Sequence, residues 1–295
     1  MSKCMACPRQ CGADRKSGRG LCGQSEQLRI ARAALHLWEE PCISGTRGSG
    51  TVFFSGCNLG CVFCQNYRVS HRGQGTEISA DALVGKMLDL QAAGAHNINL
   101  VTPTHFAAQL VPVLAAVKPQ LHVPIVYNTG GYESPETLEL LAPYVDVWMP
   151  DFKFADSQLA AAYASAPDYP EVAARAIAKM YELSGSVQFD ADGMLRSGVL
   201  VRHLVLPGCR KDSMAVLDRL AEIVPVQGIR LSLMSQYTPE FATDAPYPNL
   251  HRRVTTLEYQ SVMARAGQLG FVGYMQQRDS ATAKYTPDFE GEDNC

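Results

Sequence analysis

An α/β fold, a partial (β/α)6 TIM-like barrel fronted by a small Cys-rich N-terminal module, is what this sequence predicts. Three observations predict it. Short apolar runs alternate with helical patterns about six times after Gly50, and such alternation implies a parallel sheet with right-handed crossovers. Six units are too few to close an eight-stranded barrel, so the expected barrel is open and its ligands sit at the C-terminal ends of the strands. Residues 1–45 share neither pattern: they begin CMACPRQCGADRKSGRGLCGQ, and Gly45, Gly48 and Gly50 punctuate their end. The expected division is therefore a metal-binding module over 1–45 and a core with a C-terminal tail over 46–295.

Within the module, ARAALHLWEEPCISG reads as a short helical or extended piece. The apolar runs at 51–55, 97–101, 123–127, 145–149, 199–206 and 229–234 predict strands. Between the first two, Leu83, Val84, Met87 and Leu88 repeat at helical spacing behind Ser79, a good N-cap. Ser134 with Pro135 at the first helical position starts another helix. Helical spacing recurs over 169–183, 212–223 and 255–268. The D-G pair within SVQFDADGMLRSG predicts a hairpin insertion. The polar tail after Met275 is expected to wrap the surface.

The chain has 295 residues, 46% hydrophobic and 19% charged, which suits one large domain with a small appendage. Its net charge of -3 lacks the basic footprint of a nucleic-acid binder. No apolar run reaches the roughly 18 residues of a membrane-spanning helix, and the polar start MSKCMACPRQ lacks the apolar stretch of a signal peptide. A cytoplasmic protein is expected. Ten cysteines are many for such a chain, and in a reducing compartment clustered cysteines point to metal or catalysis rather than disulfides. Seven of the ten fall into two groups, while Cys42, Cys209 and Cys295 stand alone.

The first group is Cys57, Cys61 and Cys64 in GCNLGCVFCQN, a C-x3-C-x2-C pattern directly after an apolar strand. Three thiolates on one loop can bind three irons of a [4Fe–4S] cubane and leave the fourth open, whereas an electron-transfer cluster normally has four protein ligands. The open iron is suited to the amino and carboxylate groups of S-adenosylmethionine (SAM), whose sulfonium is cleaved by one electron to methionine and a 5′-deoxyadenosyl radical. A zinc site competes poorly, because zinc usually takes four ligands in paired C-x2-C units and no fourth partner follows closely. The second group, Cys4, Cys7, Cys11 and Cys22, is spaced C-x2-C-x3-C-x10-C. Four thiolates can close a structural zinc site or hold an auxiliary [4Fe–4S] cluster. Arg9, Arg15 and Arg19 beside them are either solvated charge or partners for thiolates or an acidic surface.

At these residues the chain resembles the radical SAM superfamily, and within it the pyruvate formate-lyase activating enzyme-like group with an N-terminal CPRxC segment. The matching phrases are EEPCISG, GSGTVFFSGCNLGCVFCQN, VTPTHF, YNTGGYE, PDFKF, RHLVLPG, MSQYTP and YTPDF, which run from Glu39 to Phe289. The resemblance implies that Phe63 packs near the adenine. In YNTGGYE, Asn128 and Thr129 can hydrogen-bond the methionine moiety, and Gly130 and Gly131 let backbone approach a ligand closely; a plain tight turn is the competing reading. Asp151 and Lys153 alternate onto one face after the fourth strand, and the resemblance places such a D-x-K in the cofactor and cation environment; a surface ion pair is the alternative. Arg202 aligns with an arginine expected near the cofactor's ribose or carboxylate, and His203 beside it should point outward. The chain departs from the group at the second strand, where NLVTPTHF replaces a Gly-Gly-Glu that contacts the amino group; Thr102, Thr104 or His105 are the substitutes on offer. Tyr237 and Cys209 follow strands at the same face, as hydrogen relays or as packing.

The resemblance implies an oxidoreductase that takes its electron from a donor such as flavodoxin or ferredoxin, and activates a protein substrate by abstracting a glycine hydrogen. Radical modification of a small molecule, peptide or RNA is the alternative, with low basicity against RNA. A non-catalytic iron–sulfur redox or regulatory protein is the third reading.

Overall fold

The computed structural model describes residues 3–276 and Phe289. Most of the tail after Met275, including Cys295, lies outside the described residues. The chain first forms β1 (Arg29–His36), α1 (Pro41–Ser44), β2 (Ser49–Phe54), α2 (Tyr67–Ser70), β3 (Thr76–Glu77) and α3 (Ala80–Ala92). Then follow β4 (Ile98–Val101), α4 (Ala107–Val117), β5 (Ile125–Thr129), α5 (Pro135–Leu141), β6 (Val147–Pro150), α6 (Ser157–Ala164) and α7 (Tyr169–Ser184). The last elements are β7 (Gln188–Phe189), β8 (Leu195–Leu204), α8 (Arg210–Ile223), β9 (Arg230–Met234), α9 (Thr256–Leu269) and β10 (Gly273–Met275).

All six expected strands form, and they pair in parallel in the order β2, β4, β5, β6, β8, β9, with β10 added in parallel at the far edge. Each central strand is buried on both faces, as a parallel sheet covered by helices requires. Among the described residues the sheet does not close: β10 stands at one edge, while β1 pairs antiparallel with β2 and leads to β3 at the other. The extended half of the N-terminal module is thus a strand of the sheet, and residues 3–28 carry no helix or strand. The expected hairpin is β7 against β8, turned over Asp190–Gly193.

Local chemistry accounts for the helix starts. Ser79 accepts from the Ala82 amide and Ser134 from Thr137, and Thr255 with Glu258 makes a reciprocal capping box. The inner face of the barrel has its own floor. The short helix α1 inserts Cys42 and Ile43 against Val126, Val147, Met149, Leu195 and Leu200. Full burial of Ile43 contributes about 1.5–3 kcal/mol, and Cys42 serves there as a small apolar side chain. Because α1 closes this end, the opposite end, where β2, β4, β5, β6, β8 and β9 terminate, is the one left for a ligand.

Candidate functional site

Cys57, Cys61 and Cys64 lie on the loop between β2 and α2 and face one cavity of about 220 Å³. The Leu59 amide donates to Cys57 Sγ at 3.4 Å, and Cys64 Sγ stands 3.2 Å from the Ser70 hydroxyl. Burial pushes all three thiols up, Cys61 to about 12, and the neighbouring sulfurs push Cys57 further; Lys153 pulls the other way. Three thiols this buried, on one short loop, do not all ionise unless a cationic body takes the place of the protons. That donor set fits an iron–sulfur cluster: soft sulfur ligands on one loop, beside a cavity that continues past them.

The rest of the cavity comes from the strand ends. β4 supplies Val101 followed by Thr102, β5 supplies Asn128 and Thr129 followed by Gly130, and Asp151 and Lys153 follow β6. β8 adds Arg202 and Leu204, β9 adds Met234, and Phe63 reaches in from the cysteine loop. Phe63 also packs edge-on to Phe154 and Tyr237, with both ring centroids at 6.4 Å. Two glycines allow the walls to meet. A Cβ on Gly130 would stand 2.9 Å from Leu59 Cδ1, and one on Gly131, at φ +80°, would stand 2.1 Å from the Asp151 carbonyl oxygen. Gly131 therefore sits behind the cavity wall as a crossing point.

Arg202 is the electrostatic centre. Its Nε donates to Asp151 Oδ1 at 3.0 Å, Nη1 to Glu39 Oε2 at 3.2 Å, and Nη2 to Asn128 Oδ1 at 2.6 Å. Lys153 Nζ bonds the other Asp151 oxygen at 2.5 Å. Burial works to raise the Asp151 carboxyl, but Lys153 and Arg202 outweigh it and hold Asp151 below the usual range. Glu39 also accepts from Asn99 at 3.1 Å and Asn128 at 3.4 Å. Burial pushes both Glu39 and Glu40 up, against Arg202. Neither glutamate was singled out as a site residue from the sequence; the signal was an acidic pair in EEPCISG with no polar face to sit on.

At the NLVTPTHF corner, Thr102 lines the cavity with φ +57°, a left-handed conformation that non-glycine residues rarely hold. Thr104 and His105 turn away from it. Thr104 donates to Glu133 Oε1 at 2.5 Å, Thr129 bonds the same oxygen, and the Tyr127 hydroxyl donates to Oε2 at 3.5 Å. Burial pushes the Glu133 carboxyl up to about 7 despite these donors. His105 Nε2 lies 2.7 Å from the Ser55 carbonyl, and burial lowers its imidazole to about 4. Tyr169, a further residue missed in the sequence, places its hydroxyl 2.9 Å from the carbonyls of Gly130 and Asp151 and accepts from the Lys153 amide at 2.9 Å.

His203 points away from the barrel interior, its Nδ1 2.7 Å from the Phe152 carbonyl. Tyr237 is buried and donates to the Leu250 carbonyl at 2.6 Å, and Cys209 is buried ahead of α8; both read as packing. The four N-terminal cysteines lie in residues 3–28, where backbone bonds from Cys4 N–H to the Ala13 carbonyl and from Gly12 N–H to the Cys4 carbonyl hold Cys4 beside Cys11. A Cβ on Gly20 would stand 3.4 Å from both Cys11 Sγ and Cys22 Sγ.

A family model described as the Radical SAM superfamily matches residues 51–208. An uncharacterised protein of Methanocaldococcus jannaschii is 26% identical over 274 residues, covering 89% of this chain and 74% of that protein. SuiB of Streptococcus suis, at 14% identity, superposes with a TM-score of 0.54 in its structure bound to precursor peptide SuiA and 0.53 in its structure bound to SAM. Both superpositions cover 75% of this chain, and 46% and 48% of SuiB, so the chain spans about half of SuiB's length. At that identity the likeness is one of fold. Among the described residues no helix is long and apolar enough to cross a membrane.

Proposed function

The chain belongs to the radical SAM superfamily, whose cofactors are a [4Fe–4S] cluster and SAM, and from that premise we propose that Cys57, Cys61 and Cys64 ligate the cluster at the mouth of the barrel. When bound, the cluster supplies the electron that cleaves the SAM sulfonium into methionine and a 5′-deoxyadenosyl radical, which abstracts hydrogen from a substrate. The residues of the chain do the binding and the shielding. Thr102, Asn128, Thr129 and Gly130 offer hydroxyl, amide and backbone groups along the wall nearest the cysteine loop. Asp151 stays ionised between Lys153 and Arg202, and so presents a fixed negative charge to the cationic cofactor. Arg202 is already spent on Asp151, Glu39 and Asn128, and its role is to orient the two cavity residues among them. Phe63 shields the cavity beside Cys64. The observation that carries the reading is the convergence of three thiols and this charged set on one cavity at the C-terminal strand ends.

For the substrate, the reading best supported is a protein loop from which a glycine hydrogen is taken. It rests on the resemblance of the phrases from EEPCISG to YTPDF to the activating enzymes. Anaerobic incubation with SAM and a low-potential reductant should yield 5′-deoxyadenosine and methionine, and Cys61→Ala should yield neither. A fully active variant would overturn the ligand assignment. Deuterium moving from a glycine-labelled partner into 5′-deoxyadenosine, with an EPR doublet on that partner, supports glycyl-radical formation. Deuterium arriving instead from a labelled small molecule or peptide shifts the assignment to modification of those substrates.

A further inference from the structure

The N-terminal cysteines lie against the cysteine loop of the barrel, and two arginines of the CPRQC–GADR stretch make the attachment. Arg9 donates from Nε to the Asn58 carbonyl at 2.7 Å and from Nη1 to the Ser165 carbonyl at 2.5 Å, while its guanidinium lies 5.1 Å over the Tyr132 ring. Asn58 stands between Cys57 and Cys61, so this contact grips the loop next to two of its thiols. Arg15 is buried; it donates to the His105 and Ser25 carbonyls and lies 5.4 Å over the Phe106 ring. Thr137 bonds the Ala6 carbonyl at 3.1 Å. At the other end, a Cβ on Gly56 would stand 2.5 Å from the Cys22 carbonyl oxygen, so the backbone of the fourth cysteine packs on the residue just before Cys57.

These contacts ask a great deal of a segment with no helix or strand. Fixing the backbone of each residue costs conformational entropy, and residues 3–28 bury few apolar side chains to offset it. A cross-link closing the loop from Cys4 to Cys22 supplies the missing term, as metals do for segments too small to own a core. Among the described residues no three ligating side chains are already closed around a single point, neither these four nor Cys57, Cys61 and Cys64. The backbone bonds Cys4 N–H to Ala13 and Gly12 N–H to Cys4, at 3.0 and 3.1 Å, hold Cys4 and Cys11 together for that closure.

We infer that Cys4, Cys7, Cys11 and Cys22 bind a thiophilic metal centre, zinc or an iron–sulfur cluster, that locks residues 3–28 as a clamp on the loop carrying Cys57, Cys61 and Cys64. The clamp acts through Arg9 and the Cys22–Gly56 contact. Only the functional meaning of the clamped loop depends on the cluster assignment made above; the centre and the clamp do not.

The test begins with a full chain in which Cys57, Cys61 and Cys64 are all changed to Ala, purified without oxygen. It should retain about one zinc, or about four irons with matching sulfide, per chain. Zinc or iron each supports the centre and decides its identity; a folded triple variant holding neither overturns it. Hydrogen exchange then reads the clamp. In otherwise unchanged protein, Arg9→Ala should keep the N-terminal metal yet speed amide exchange over residues 56–64 roughly tenfold, because local opening is set by such contacts. Cys11→Ser with Cys22→Ser should lose the metal and speed the same amides. Unchanged exchange in both variants overturns the clamp, whether or not the protein cleaves SAM.

Discussion

Arg202 on β8 donates to Glu39 Oε2 at 3.2 Å, and this bond ties the barrel wall to the segment that enters its floor. Both side chains are largely buried, with exposures of 16% and 10%. Three carboxyls (Glu39, Glu40 and Asp151) here share two fixed cations (Lys153 and Arg202), and Glu39 is also the acceptor for Asn99 and Asn128. Leaving buried donors without their acceptor costs about 1–3 kcal/mol.

Glu39→Ala should therefore lower stability by about 1–3 kcal/mol, and Glu39→Gln by clearly less, since the amide oxygen still accepts from Arg202. Urea unfolding of the two variants under nitrogen measures the difference. If Glu39→Ala unfolds within about 0.5 kcal/mol of the parent, the Arg202–Glu39 bond carries no weight in the fold.

Asp151→Asn separates holding the cluster from using it. The amide keeps shape and removes the charge between Lys153 and Arg202 while leaving all three cysteines in place. SAM cleavage should fall roughly 100-fold, the scale of a lost electrostatic contact in a dry site, with iron content unchanged. Parallel iron analysis and 5′-deoxyadenosine assays give both numbers. Equal loss of iron and activity would mean that Asp151 supports the loop rather than the cofactor pocket.

Much of this was legible in the sequence, for physical reasons that also mark where reading stopped. Strands buried on both faces leave unbroken apolar runs, so β2, β4, β5, β6, β8 and β9 were found with their ends shifted by a few residues, while the two-residue, exposed β3 left no such run. Helices α3, α5 and α9 carried caps and stripes. Helix α4, AAQLVPVLAAV, is apolar almost all round and holds Pro112, so it offers no periodicity; α6 is short and rich in alanine. The cysteine groups were legible because ligand spacing is local. Glu39 and Tyr169 were not, because each acts on residues far away in the chain, and Glu133 was not, because its burial under Thr104, Thr129 and Tyr127 depends on how β4 and β5 pack. At the Thr102–His105 corner the residue types alone offered three acceptors, and only the turn at Thr102 decides which one faces the cavity.

Glu133 predicts a pH dependence. Its carboxyl, ordinarily near 4.5, is pushed up to about 7 by burial beneath Thr104 and Thr129. Below about pH 4.5 both folded and unfolded chains hold the proton. From there to about pH 7 the unfolded chain ionises first, so this residue's contribution to stability declines as pH rises, by on the order of 3 kcal/mol, and is then level. Glu133→Gln should remove that decline. Comparing urea midpoints at pH 5 and pH 8 tests it, and an identical pH response in parent and variant would rule out a buried proton at Glu133.

Gly131 tests how the cavity is held in shape. It adopts φ +80° where the chain leaves β5, and its Cα faces the Asp151 carbonyl so closely that an added Cβ would meet that oxygen at 2.1 Å and the Tyr169 hydroxyl at 3.1 Å. Neither neighbour can yield cheaply. The carbonyl belongs to the backbone leaving β6, and the hydroxyl sits 2.9 Å from both the Gly130 and Asp151 carbonyls. Gly131→Ala adds a conformational penalty of about 1–2 kcal/mol to that clash, so the expected response is displacement of the Asp151–Lys153 strand end. SAM affinity should fall roughly tenfold or more while iron content holds, because the displaced part is the Asp151–Lys153 strand end, and the cysteine loop meets this crossing on its other side, through Leu59 at Gly130 and the Asn58 bond to the Tyr132 carbonyl at 2.7 Å. Tyr169→Phe, which removes the hydroxyl without adding bulk, should weaken SAM binding in the same sense but less. Equilibrium binding of SAM to both variants decides the point: parental affinity in Gly131→Ala would show that the two strand ends move independently of the pocket.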